Sequence, residues 1–287
     1  MVGHNESGMK TKARVGTLSM PWKRRKTMMK SARYRWLIFA ISLFAAGCCG
    51  PRGQNTLTQI STIDALLAGV YDGNTTLQNL SRHGDFGIGT FDRLDGEMIV
   101  LDGTVYQVRA DGVVYRPGPD ETTPFASVVH FRPRHTIPAP PAATYAAFTE
   151  WLDREFVNPN DLMAIRVDGT FSYVKVRSVP AQNKPYPPLA EVTKTQPVFE
   201  AADVSGTLIG FRAPAFVKGL NVPGYHVHFL SDDRQFGGHV LDFHFQGGEV
   251  QLMPCSRFVL LLPDADSDFA AVDFRADRSH ELEKVEK

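Results

Sequence analysis

Leu94-Asp95-Gly96-Glu97-Met98-Ile99-Val100-Leu101-Asp102-Gly103-Thr104-Val105-Tyr106-Gln107-Val108-Arg109-Ala110-Asp111-Gly112 is the stretch whose reading settles the fold class. Three Asp-Gly pairs punctuate short runs rich in Val, Ile and Tyr. Asp-Gly suits tight turns that need positive φ, so the stretch predicts an antiparallel meander. Working outward, strands are expected at Phe86–Phe91, Glu97–Leu101, Thr104–Arg109, Val113–Arg116 and Phe125–Arg132. Upstream, Ile63–Gly69 and Thr76–His83 read as short helices, stopped by Gly69 and Gly84. Downstream, Pro138–Pro141 breaks the pattern before an amphipathic helix at Ala142–Phe156. Leu162–Val167 and Thr170–Val179 read as a hairpin across Asp168-Gly169, and Pro180–Pro188 as a linker. A second strand cluster follows at Gly206–Arg212, Tyr225–Leu230, Val240–Gln246, Glu249–Pro254 and Arg257–Leu262, then a charged, helical C-terminus from about Phe269. The expected class is α+β: two strand-rich halves, 57–180 and 189–287, with mixed or antiparallel sheets and a few helices.

The chain of 287 residues has 31 Lys+Arg against 31 Asp+Glu, a formal net charge of zero. That neutrality hides two unlike parts. Residues 1–50 hold ten basic residues and one acid, Glu6, which leaves 21 basic and 30 acidic residues in 51–287, a net of −9. An acidic body excludes a nucleic-acid binder, which needs a basic face. Lys23-Arg24-Arg25-Lys26, with Lys30, Arg33 and Arg35, leads into an apolar run from Trp36 to Ala46, then Gly47 and Cys48. A cationic n-region, a short apolar core and small residues after it describe an export segment. The run is too short for a comfortable membrane span, which takes roughly 20 residues. Ala45-Ala46-Gly47-Cys48 resembles a bacterial lipobox, with Ala45 where Leu is usual. Lipidation at Cys48, ordinary cleavage and an uncleaved membrane tether all stay open. The expected location is periplasmic or extracellular. Three cysteines, Cys48, Cys49 and Cys255, make neither a disulfide framework nor a thiolate metal site.

The chemistry concentrates in Tyr225-His226-Val227-His228-Phe229-Leu230, followed by Gly237-Gly238-His239-Val240-Leu241-Asp242. On a strand, residues i and i+2 share a face, so His226 and His228 present both imidazoles to one ion. The polar, glycine-bearing Ser231–Gly238 turns the chain back and sets His239 beside them on the C-terminal sheet. Three histidines with open coordination positions form a catalytic-type zinc arrangement. A single histidine would read as a half-exposed strand residue; three in hairpin register favour a metal. His244 is offset to the other face, and His83, His130 and His135 read as turn or surface residues. Cupins also use His-x-His on a strand but place Glu after it, where this chain has Asp232 and Asp233. Exported carbonic anhydrases carry their third histidine much farther along.

Two more segments add specificity: His83-Gly84-Asp85-Phe86-Gly87-Ile88-Gly89-Thr90-Phe91-Asp92 with Leu94-Asp95-Gly96-Glu97-Met98, and Val176-Arg177-Ser178-Val179-Pro180 with Gln182 and Lys184-Pro185-Tyr186. With His-Val-His and Gly-Gly-His, in this order from about Leu57 to the C-terminus, they resemble bacterial alpha-acetolactate decarboxylase. The resemblance implies a zinc enzyme, a homodimer, converting (S)-2-acetolactate to (R)-acetoin and carbon dioxide in acetoin and butanediol formation. It implies His226, His228 and His239 as zinc ligands, Glu97 as an acidic residue at the metal and Arg177 as the active-site arginine. It also implies a glutamate from the C-terminal tail, for which Glu286 fits first and Glu283 second.

These groups suit the reaction. Loss of carbon dioxide from a 2-hydroxy-3-keto acid leaves an electron pair that the adjacent ketone must accept, and a Lewis acid eases that transfer. No dinucleotide or phosphate-loop motif occurs, so no organic cofactor is expected; a divalent ion other than zinc fits three histidines equally. Arg177 offers a permanent charge and a bidentate grip for an anionic substrate. Two other readings stay open at this point: a cupin-like metal enzyme acting on another small oxyacid, and a non-catalytic metal-binding envelope lipoprotein. The second leaves Glu97 and Arg177 without a task.

Overall fold

The Asp-Gly turns set the register of the strands around them. Gly96, Gly103 and Gly112 take φ of +89°, +76° and +80° in the computed structural model, a region glycine enters without steric cost. The structure describes residues 55–155 and 158–286. The segment expected to direct export, residues 1–50 with Cys48 and Cys49, lies outside the described residues.

The chain runs β1 (Thr56–Ile60), α1 (Ile63–Leu67), β2 (Thr75–Thr76), α2 (Leu77–Leu80), β3 (Phe86–Thr90), β4 (Glu97–Leu101), β5 (Thr104–Val108), β6 (Val114–Tyr115), β7 (Thr122–Thr123) and β8 (Ala126–Val129). It continues through β9 (His135–Ala139), α3 (Tyr145–Glu155), β10 (Met163–Arg177), α4 (Leu189–Val192), β11 (Val198–Ala213), β12 (Gly224–Ser231), β13 (Gly237–Pro254), β14 (Arg257–Leu261) and α5 (Ser279–Glu286). The expected meander is β3-β4-β5-β6, with Glu97 opposite Val108 and Leu101 opposite Thr104. It belongs to a mixed seven-stranded sheet of order β14-β1-β8-β3-β4-β5-β6, in which β1 and β14 run parallel. The other large sheet has the order β10-β11-β12-β13-β9. There β10 also pairs with β13, so β10 to β13 close into a ring of antiparallel pairs.

Strand alternation decides what lies between the sheets. Leu57, Phe86, Ile99 and Leu101 of the first sheet are buried in one cluster with Ala164, Ile209, Phe211 and Leu230 of the second. The opposite face of the second sheet, with Phe171, Phe229 and Phe243, packs under Phe148 and Leu152 of α3. Each such side chain contributes roughly 1.5–3 kcal/mol on burial, so the inter-sheet layer holds the body together. At one end of that layer, α1, α4 and α5 meet through Leu66, Leu67, Leu189, Val192 and Val285.

Three expectations fail. The strands expected at Val240–Gln246 and Glu249–Pro254 are one, because β13 runs unbroken from Gly237 to Pro254. Asp168-Gly169 is no hairpin: β10 passes straight through it, with Asp168 opposite Thr207 and Gly169 opposite Gly206. Gly169 serves close packing instead, because a Cβ there would lie 2.6 Å from Gly247 O and from the Phe245 ring. Asp168 is held in the strand by Arg166 Nε and the Thr207 hydroxyl, which donate to its carboxylate at 2.7 and 2.8 Å. The boundary expected at Pro180–Pro188 also does not separate the sheets, since β9 and β10 join the second sheet and β14 joins the first. That segment is tied down: the Gln182 amide donates to Arg93 O, and the Tyr186 hydroxyl to Asp72.

Candidate active site

The histidines sit on the face of the second sheet that looks toward the first. His226 and His228 alternate with Val227 and Phe229 on β12, whose side chains pack on the opposite face. His239 stands opposite His228 in the β12–β13 pair, and Arg177 stands opposite His239 in the β10–β13 pair. That second approach needs Gly238, whose φ is +141° and whose added Cβ would lie 2.5 Å from Arg177 O.

Glu97 comes from the first sheet, at the start of β4. The turn before it is strained, because Arg93 and Leu94 both adopt positive φ, +58° and +61°, a costly state for residues other than glycine. Neighbours hold it there: the Arg93 amide donates to Tyr71 O, Gln107 Nε2 to Asp95 O and the Thr90 hydroxyl to Gly96 O. The turn delivers Leu94 and Glu97 to the cavity facing the histidines. Glu286 arrives from the last turn of α5, anchored by the buried Val285 beside it. Glu283, the second choice for that role, is exposed on the same helix.

These groups meet in one cavity of ≈ 50 Å³, room for about four waters. One nitrogen from each of His226, His228 and His239 lies within 4.8 Å of the others. Glu97 Oε2 is 3.5 Å from His228 Nε2, and Glu286 Oε2 is 3.8 Å from His239 Nε2. The cavity's remaining wall is largely apolar, with Ile63, Leu66, Phe125, Val179 and Leu189.

Burial governs the electrostatics. It lowers His226 to about 3, with help from Arg177, and holds His228 and His239 well below the ordinary histidine value. Neutral imidazoles are what a metal requires. His228 Nδ1 lies 2.9 Å from Met98 O, so it carries the proton and donates, leaving the Nε2 lone pair aimed into the cavity. That Nε2 is buried and has no hydrogen-bond partner among the described residues. A divalent cation fits this donor set: three neutral nitrogens, one oriented by a backbone carbonyl in the usual second-layer manner. Burial also raises Glu97 to about 8 and Glu286 to about 7, against the lowering effect of Arg177. Arg177 itself is 4% exposed, and its Nε has no hydrogen-bond partner among the described residues.

The structure therefore brings together Glu97, Arg177, Glu286, His226, His228 and His239, and leaves Glu283, His130, His135 and His244 outside. Sequence reasoning missed Thr90 and Thr193, which also line the cavity. Thr90 stood in plain view, three residues before the Arg93-Leu94 turn in a quoted motif. Thr193 follows a four-residue helix and had no signal.

A buried constellation of three histidines, two high-pKa carboxyls and an arginine is an acid–base site for a small molecule, with donors that could hold a metal. Residues 57–276 match the sequence pattern of the alpha-acetolactate decarboxylase family. The chain is 49% identical over 234 residues to the alpha-acetolactate decarboxylase of Methanosarcina mazei, covering 82% of this chain and 81% of that one. To the Brevibacillus brevis enzyme of that name it is 40% identical over 241 residues, 84% of each chain. The crystal structure of alpha-acetolactate decarboxylase from Bacillus subtilis strain 168 superposes with a TM-score of 0.78 at 38% identity, over 80% of this chain and 99% of that one. The chain belongs to the alpha-acetolactate decarboxylase family and is a carboxy-lyase.

Proposed function

We propose that this protein decarboxylates (S)-2-acetolactate to (R)-acetoin and carbon dioxide, with zinc held by His226, His228 and His239, in acetoin and butanediol formation. The observation that carries the reading is the convergence of three histidine nitrogens within 4.8 Å in the same cavity as Glu97, Arg177 and Glu286. Held by these three histidines, zinc would supply a Lewis acid to accept the charge that decarboxylation leaves on the substrate. Arg177 holds the anionic substrate through a guanidinium whose Nε has no hydrogen-bond partner among the described residues. The bond to the carboxylate carbon breaks, its electron pair passes to the ketone, and carbon dioxide leaves against the apolar wall. One proton must then reach the carbon that lost the carboxylate. Glu97 and Glu286 face His228 and His239 from two different elements, and either carboxyl, when protonated, would serve as the general acid. Delivery from a fixed side of the cavity gives one enantiomer.

The test is release of acetoin from racemic acetolactate by purified, zinc-loaded protein, with the product resolved on a chiral column. A single excess enantiomer supports the reading; no acetoin at high enzyme concentration overturns it. We further propose that the protein is exported through its cationic N-terminal segment, with Cys48 as a lipid attachment point, and that it is a homodimer. Mass spectrometry of the mature N-terminus and light scattering of the purified body test these two points.

A further inference from the structure

Between Val179 and Leu189 lies a sequence motif, Gln182 with Lys184-Pro185-Tyr186, that contributes nothing to the cavity wall, although both flanking residues line it. The contacts of this segment run to the strained turn that carries Glu97. Val179 O accepts the Gly96 amide at 3.1 Å, and the Gln182 amide donates to Arg93 O at 2.7 Å. Arg93 is held from its other side by Tyr71, whose carbonyl accepts the Arg93 amide at 2.8 Å. Tyr71 closes the ring, because its hydroxyl donates to Pro187 O at 2.8 Å. It is fully buried, with its ring against Tyr186, in the cluster that also holds Leu94, Val179 and Leu189.

Positive φ at Arg93 and Leu94 is a costly conformation that persists only where neighbours over-determine it. Three hydrogen bonds do so here, and they join three separate stretches: Tyr71 after α1, Arg93 before β4, and Gln182–Pro187 before α4. Without one of them the turn relaxes toward a commoner φ, and Glu97, four residues on, moves with it. Resting on the proposed decarboxylation, we propose that Tyr71 is a positioning residue: its carbonyl grips Arg93, its hydroxyl grips Pro187, and together they fix the turn that presents Glu97 to the substrate. Tyr71 does not line the cavity, so its effect on the reaction passes through Glu97. A misplacement of about 1 Å at the reacting atoms lowers a rate by up to about a hundredfold.

The experiment is Tyr71→Phe in zinc-loaded protein, a change that keeps the ring and removes only the bond to Pro187 O. The kcat for acetolactate is expected to fall by about tenfold, with KM within about twofold and the zinc content unchanged. A loosened α4 wall would raise KM instead. Placed in a Glu97→Gln background, Tyr71→Phe adds no further loss to the residual turnover, because groups that act as one unit are not additive. Where Glu97→Gln leaves too little turnover to compare, the split between kcat and KM decides alone. Gln182→Pro, which removes the amide on the other side of Arg93, repeats the tenfold loss and serves if Tyr71→Phe does not fold. Unchanged kcat, a rise in KM in place of the fall in kcat, loss of zinc, or a full tenfold loss on top of Glu97→Gln overturns the assignment. Wild-type protein that releases no acetoin sinks the decarboxylation reading instead, so the two failures are distinct.

Discussion

Removing the metal turns the buried carboxyls into a measurable pH liability. In metal-free protein Glu97 titrates at about 8 and Glu286 at about 7, both raised by burial from an ordinary 4.5. Above pH 6.5 the unfolded chain has lost both protons while the folded chain keeps them, so folding takes up protons and stability falls as pH rises. Integrated from pH 6.5 to 8, the two carboxyls cost about 2 kcal/mol. The histidines act in the opposite sense. Their folded values are depressed, so the unfolded chain holds the last of their protons near pH 6.5 and releases them by pH 8, which restores about 1 kcal/mol. The net expectation is a loss of about 1 kcal/mol, or about 2–4 °C in melting temperature for a body of this size. Thermal or urea unfolding in chelator at pH 6.5, 7 and 8 measures it. Glu97→Gln removes the larger contribution, and the slope then reverses to a slight gain with pH. Bound metal abolishes the fall in the wild type, because it favours the ionised carboxyls. A metal-free wild type whose stability rises steadily from pH 6.5 to 8 would refute the electrostatic picture of the site.

Arg177→Ala should give a folded, metal-loaded protein with turnover down by about a thousandfold, within the range for losing a preorganised charge contact; near-normal kcat/KM excludes the role given to it. Ending the chain at Val285, which removes Glu286, should lower kcat by at least about tenfold, the low side of what a positioned acid–base group supplies. Glu283→Gln, on the exposed face of α5, should leave activity unchanged, and the reverse pattern would transfer the role. Gly238→Ala should destabilise the protein by about 2–4 kcal/mol through the clash with Arg177 O and weaken metal binding by pulling His239 from Arg177, as urea midpoints and metal titration would report.

Local chemistry made part of this site legible. Asp95-Gly96, Asp102-Gly103 and Asp111-Gly112 announce their turns because the needed positive φ is a property of the dipeptide. The two-residue spacing of His226 and His228 fixes their common face wherever the strand lies. Asp168-Gly169 shows the boundary of that reasoning: the same dipeptide stays extended because it pairs with β11 on one side and β13 on the other. The assignment of β9 to the second sheet, and of β14 to the first, depends on partners over a hundred residues away. Ile63, Leu66, Leu189 and Val285 of the cavity wall come from α1, α4 and α5, helices of four to eight residues, whose docking against the sheets no local pattern encodes. The resemblance carried Glu97, Arg177 and Glu286 to their places in the chain, whereas their convergence is visible only in three dimensions.

The most direct measurement is a zinc titration of chelator-stripped protein, followed by acetoin release from acetolactate. Activity that rises in proportion to zinc and levels off at one ion per chain in the wild type, while His228→Ala neither retains the ion nor releases acetoin, is the predicted result. Full acetoin release by the stripped protein, or by His228→Ala, would contradict the account.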